Sequence, residues 1–276
     1  MFQWCSGWWR VVSVFALRTL FPVGVPACAI FYGLYFMVTD SIPLNQMPFT
    51  AAIIDLDGTM VDTLGDFVVV LQHTLADMGC HAIEIARVDR AFIEHTVGKG
   101  TEDLLRRSLA QAWGLPDDAR EAIDAVPEAW QHYQAHYQRL NGQHAQVYPG
   151  VLEGLQKLKD QGVPLACLTN KPTAFAEQLL AAKGLRGFFS HVFGGDAFER
   201  KKPDPLPLIK TCEALGVLPS HTVMVGDSSN DAQAARAAGC GVVLVTYGYN
   251  HGHPIAEVRA LAHLARLDEL DLSQLG

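Results

Sequence analysis

The chain's six cysteines include no C-x-x-C pair. That excludes a disulfide-stapled scaffold and a zinc ribbon, and it reads as buried free thiols in a reducing, cytoplasmic compartment. Charge is scarce: Asp, Glu, Lys and Arg make up 18% of the residues, and 29 acidic residues against 21 basic ones leave a net charge of -8. A nucleic-acid backbone or an anionic membrane surface is therefore excluded as the main partner. There is no internal repeat and no low-complexity tract. With 49% hydrophobic residues the chain is not intrinsically disordered, and 276 residues suffice for about two domains with an unstapled core.

Residues 1–46 differ from the rest. Their only charges are Arg10, Arg18 and Asp40, and 21–38 is an uncharged apolar run just long enough to span a bilayer. One reading is a start codon placed too early, with Met47 opening directly onto the first core strand. A second is a membrane anchor through 21–38. Both arginines precede the run and the next basic residue is Arg87, so such an anchor would carry the rest of the chain out of the cytoplasm. A third is a signal peptide with Ala27-Cys28-Ala29 as its cleavage motif, although the apolar stretch continues past it.

From Phe49 onward strands alternate with helices. Apolar runs at 49–56, 164–169, 191–194, 222–226 and 241–246 read as buried strands. Helical patterns cover 151–161, 173–183, 205–215 and 231–238. This alternation predicts an α/β fold with a doubly wound parallel sheet. One block breaks it: 64–78, 101–113 and 118–140 read as amphipathic helices with no convincing strand among them. The expected organisation is an α/β catalytic core from 47–63 and 148–276, with an all-helical second domain, 64–147, inserted after the first strand.

Ligands of open α/β sheets bind beyond the carboxyl ends of the strands. Here those ends carry Asp55-Leu56-Asp57-Gly58-Thr59, Thr169-Asn170-Lys171-Pro172, Lys201-Lys202-Pro203 and Gly226-Asp227-Ser228-Ser229-Asn230-Asp231. Carboxylates gathered at one edge repel each other unless a cation joins them, and oxygen-only ligands point to Mg2+. Mg2+ with a lysine and a hydroxyl suits a phosphoryl group. Two aspartates at i and i+2 allow one to attack phosphorus and the other to move protons. Gly58 permits the close turn between them. Ser228 and Ser229 read as the N-cap region of the following helix, Lys201 as a surface residue, and His132 and His136 as part of a polar helix face.

These strings resemble the four motifs of the haloacid dehalogenase superfamily, across essentially all of 49–270. The strings Thr169-Asn170-Lys171-Pro172, Gly194-Gly195-Asp196, Lys201-Lys202-Pro203 and Thr246-Tyr247-Gly248-Tyr249-Asn250 are together similar to the bacterial phosphoglycolate phosphatase family, and the helical insertion to its cap. The resemblance implies a Mg2+-dependent phosphomonoesterase acting on a small phosphorylated metabolite, 2-phosphoglycolate in this family. It implies Asp55 as nucleophile, forming an aspartyl-phosphate, and Asp57 as general acid and then base. It implies Mg2+ on Asp55, the Asp57 carbonyl and Asp227, and a phosphoryl group on Thr169 and Lys202 with Asn170 beside them. Asp231 would orient Lys202 or a metal-bound water. Lys99, in the Gly-rich segment 96–100 of the cap, is the candidate partner for a substrate carboxylate. Sugar-phosphate or amino-sugar-phosphate phosphatases, pyrophosphatases and phosphoglucomutase-like enzymes share the same core. A phosphoacceptor receiver module would be shorter and would not need Asp57, and intact Asp55, Asp57, Lys202 and Asp227 argue against a membrane-tethered binding protein with an inactive core.

Overall fold

A computed structural model describes residues 49–275. The segment 1–46, with the apolar run 21–38, lies outside them. Among the described residues no helix is long and apolar enough to cross a membrane.

Among the described residues eight strands form: Ala51–Ile54 (β1), Val61–Asp62 (β2), Gln146–Val147 (β3), Leu165–Leu168 (β4), His191–Phe193 (β5), Thr222–Gly226 (β6), Gly241–Val245 (β7) and Ala262–Leu264 (β8). Six of them make one parallel sheet in the order β5-β4-β1-β6-β7-β8. All four residues of β1 and of β4 and all five of β6 are buried, so both faces are covered and the strands read as unbroken apolar runs. Successive side chains leave opposite faces. Ile54 and Val225 join one hydrophobic cluster, and Ile53 and Met224 join another.

Nine α-helices accompany the described strands: Leu64–Asp77 (α1), Ala82–Ile85 (α2), Arg90–Thr96 (α3), Thr101–Trp113 (α4), Arg120–Leu140 (α5), Val151–Asp160 (α6), Thr173–Ala182 (α7), Leu206–Leu215 (α8) and Ser229–Ala238 (α9). Leu155 and Leu158 of α6 and Leu179 and Leu180 of α7 cover the first face. Leu208 and Cys212 of α8 and Ala232 and Ala235 of α9 cover the second. The sheet is doubly wound, as expected. Helix α9 begins at Ser229, two residues before the expected Asp231, because the Asp231 carboxylate accepts from the Ser228 N–H and hydroxyl and fixes the first turn there. Helix α5 begins at Arg120 rather than 118. Strand β8, helices α2 and α3, and the ribbon of β2 and β3 had no counterpart in the sequence reading.

Helices α1 to α5 bury a cluster of their own, which includes Phe67, Leu71, Leu105 and Tyr133. The chain enters this insertion through β2 and leaves it through β3. These two strands pair antiparallel, Val61 with Val147 and Asp62 with Gln146, so entry and exit run side by side. Fully buried Asp66 tightens the same junction by accepting from Gly142 N at 2.6 Å and His144 N at 2.7 Å.

Candidate active site

Chain order reverses about β1. From β1 the chain goes first to β4 and β5 on one side, then returns to β6, β7 and β8 on the other. A crevice opens at such a switch point, beyond the carboxyl ends. Asp55 follows β1, Thr169 follows β4 and Asp227 follows β6, and these three strands are neighbours. All three residues line one cavity, which Asp57, Asn170, Lys202 and Asp231 also line.

Asp55, Asp227 and Asp231 each offer a carboxylate oxygen within 4.8 Å of the others. Lys202 Nζ serves this group. It donates to Asp231 Oδ1 at 2.7 Å and to the Leu168 carbonyl at 2.8 Å, and it lies 2.9 Å from Asp55 Oδ1 as an ion pair. Burial alone lowers the Lys202 pKa, but the Asp231 and Asp55 carboxylates more than offset this and raise it above the ordinary lysine value. Burial pushes the Asp55 carboxyl up to about 7, against the pull of Lys202. Burial, with repulsion from Asp231 and Asp55, pushes Asp227 well up too. One ammonium does not balance three buried carboxylates. An all-oxygen donor set with excess negative charge suits a hard divalent cation. Within the trio, Asp231 Oδ1 accepts from Lys202 and its Oδ2 from Ser228.

Asp227 sits in a mould of backbone. Tyr249 N and Thr59 Oγ1 donate to its two oxygens at 2.6 and 3.1 Å. Gly58 has φ of 82°, and a Cβ there would lie 2.1 Å from Asp227 Oδ2. A Cβ on Gly248 would lie 2.2 Å from Asp227 Cβ. Neither position accepts a side chain unless the aspartate moves.

Asp57 has a different partner, which the sequence reading did not single out. Lys171 Nζ donates to Asp57 Oδ1 at 2.8 Å and Oδ2 at 3.1 Å. The lysine side chain is only 3% exposed, and its ammonium sits 4.8 Å from the ring centroids of both Phe67 and Tyr137. Phe67 belongs to α1 and Tyr137 to α5, so aromatic rings of the insertion cover a lysine of the core. Phe67, Tyr133 and Tyr249 also line the cavity. The signal for Lys171 was its place directly after Thr169-Asn170; its partner lies 114 residues away in sequence.

The insertion meets the core at Gly98. Its carbonyl accepts from Asn170 Nδ2 at 3.0 Å and from Asn230 Nδ2 at 3.3 Å. Asn170 Nδ2 also reaches the Lys202 carbonyl at 2.8 Å. Gly98, Gly100 and Thr101 line the cavity, whereas Lys99 between them is exposed and does not. The structure thus does not bring Lys99 to the site. Gly98 (φ 112°) and Gly100 (φ 99°) adopt backbone that glycine accepts readily. Lys201 is exposed, and His132 and His136 face Asp77 on α1 at 3.4 and 2.6 Å.

Fold and site define a hydrolase of phosphoryl-transfer type, and comparison with known proteins agrees. The family model for haloacid dehalogenase-like hydrolases matches residues 52–245. The chain belongs to that family. It is 39% identical over 228 residues to a phosphoglycolate phosphatase of Thiobacillus denitrificans, covering 82% of this chain and 96% of that protein. It is 44% identical over 204 residues to a plasmid-borne phosphoglycolate phosphatase of Cupriavidus necator, covering 74% and 84%. A crystal structure described as a predicted phosphoglycolate phosphatase from Haemophilus somnus superposes with a TM-score of 0.71 at 30% identity, covering 80% of this chain and 96% of that one.

Proposed function

We propose that the protein is a Mg2+-dependent phosphatase that converts 2-phosphoglycolate to glycolate and phosphate through an aspartyl-phosphate. One observation carries the chemistry: Asp55 and Asp57 open into one cavity but hold different partners, Asp55 on Lys202 and Asp57 on Lys171. That separation suits two roles. A carboxylate oxygen of Asp55 attacks phosphorus as the bond to the ester oxygen breaks, and Asp57 gives that oxygen a proton. Asp57 then takes a proton from water, whose oxygen attacks phosphorus and releases Asp55. The Thr169 hydroxyl and the Lys202 ammonium hold the phosphoryl oxygens, with Asn170 beside them, and Asp231 orients Lys202. Asp55, Asp227 and the Asp57 carbonyl would hold Mg2+, which when bound offsets the carboxylate charge and polarises the phosphoryl group.

The substrate rests on the names of the relatives at 39% and 44% identity. The helical insertion, 64–147, acts as the cap that excludes water and encloses the part of the substrate beyond the phosphate. A cytoplasmic location belongs to the same proposal and is supported by the cysteine pattern.

The test is phosphate release with Mg2+ across phosphoglycolate, sugar phosphates, amino-sugar phosphates and pyrophosphate. A kcat/KM for phosphoglycolate about 100-fold above the rest, or ~2.7 kcal/mol of discrimination, is expected. A profile peaked elsewhere refutes the substrate, and no release refutes the enzyme. Asp55→Asn should abolish turnover while leaving the melting temperature intact; retained turnover removes Asp55 as nucleophile.

A further inference from the structure

The phosphate-binding end of the cavity has its cation, and a second cation there has no assigned role. Among the described residues that line the cavity, Lys171 and Lys202 are the basic ones. An ammonium has three N–H donors. Lys202 donates to Asp231 and the Leu168 carbonyl and pairs with Asp55 by charge, which leaves its third donor for the phosphoryl group. Lys171 differs: its acceptors are the two oxygens of a single carboxylate, Asp57, and its other close neighbours are the faces of Phe67 and Tyr137. Those rings stabilise the positive charge but leave capacity for one more acceptor.

We infer that Lys171 is the specificity-determining residue that binds the second anionic group of the substrate, a carboxylate carried on the ester carbon itself. This rests on the phosphoglycolate phosphatase reading above. The argument is one of reach. Asp57 is the group that meets the leaving oxygen, and Lys171 Nζ is 2.8 Å from Asp57. In an ester of a 2-hydroxy acid the carboxylate carbon is two bonds from that same oxygen. A substrate that places its leaving oxygen on Asp57 therefore brings its carboxylate to the Lys171 ammonium. Lys171 then bridges Asp57 and the substrate, while Phe67 and Tyr137 fix its height above the cavity floor. A charge-assisted bond to an ammonium already out of water needs no further desolvation of the lysine. An uncharged alkyl ester gains no such bond, so the site discriminates by charge at one atom.

The experiment compares kcat/KM for phosphoglycolate and ethyl phosphate in the wild type and in Lys171→Met, which keeps the packing of the stem against both rings. The wild type should prefer phosphoglycolate by about 100-fold, ~2.7 kcal/mol. Both activities fall in the variant, but the loss on phosphoglycolate should exceed that on ethyl phosphate by at least about 30-fold, mainly in KM. Equal losses on both esters in a wild type that prefers phosphoglycolate overturn the role of Lys171 and leave the phosphatase reading standing. A wild type without that preference overturns both. If Lys171→Met does not fold, as judged by its thermal melt, Lys171→Gln, whose amide can still bond to Asp57, is held to the same ratio. Lys171→Arg keeps the charge and should retain most of the preference.

Discussion

Asp66 holds the junction of the insertion in a way that can be weighed. Its carboxylate is fully buried and accepts from Gly142 N and His144 N, on the segment leading back to the core. Asp66→Ala removes two charge-assisted hydrogen bonds and leaves two backbone donors behind. Each such bond is worth about 1.5–3 kcal/mol, a gross loss of roughly 3–6. Part of it returns, because a carboxylate need no longer be buried. The net destabilisation is about 3 kcal/mol, a fall in melting temperature of roughly 6–12 °C for a chain of this size. Asp66→Asn should fall between the two, since its amide oxygen can accept while its NH2 faces a donor. The assay is a thermal melt of the three proteins by circular dichroism in one buffer. An alanine variant within about 1 °C of wild type, or an asparagine variant less stable than alanine, would refute this account.

Gly58→Ala places a Cβ 2.1 Å from Asp227 Oδ2 at a φ of 82°; kcat/KM should drop at least about 100-fold, and a drop under threefold in steady-state assays would mean that Asp227 can move freely. Mg2+ at 100 times its Kd should stabilise the protein by about 2.7 kcal/mol, read as a rise in the thermal melt. Asp227→Ala should lose that rise, and a wild type with no rise would remove the metal from the site. Excess chelator should silence phosphate release, and turnover that survives it would do the same.

The sheet was legible because β1, β4 and β6 are buried on both faces and read as unbroken apolar runs. Strand β8 was not: it is a three-residue edge strand with one exposed and two half-buried residues, so no run marks it. Helices α2 and α3, of 4 and 7 residues, are shorter than a periodic pattern needs. The residues directly beyond the strand ends were legible for a topological reason, since neighbouring parallel strands carry their carboxyl ends to one edge. What the insertion contributes was not. Lys99 stands in a Gly-rich segment and promises a cation, but it is exposed and off the cavity lining, which Gly98 and Gly100 join. Lys171 has its role only through Phe67, Tyr137 and Asp57, which meet it from three separate parts of the chain.

The insertion and the site loops also share a latch, the Gly98 carbonyl with its two asparagine amides. One carbonyl oxygen has two lone pairs, and both are engaged. Two neutral hydrogen bonds contribute about 1–3 kcal/mol together, beside the packing of Phe67 and Tyr137 on Lys171. A single backbone oxygen of the insertion thus ties together the residues that follow β4 and β6.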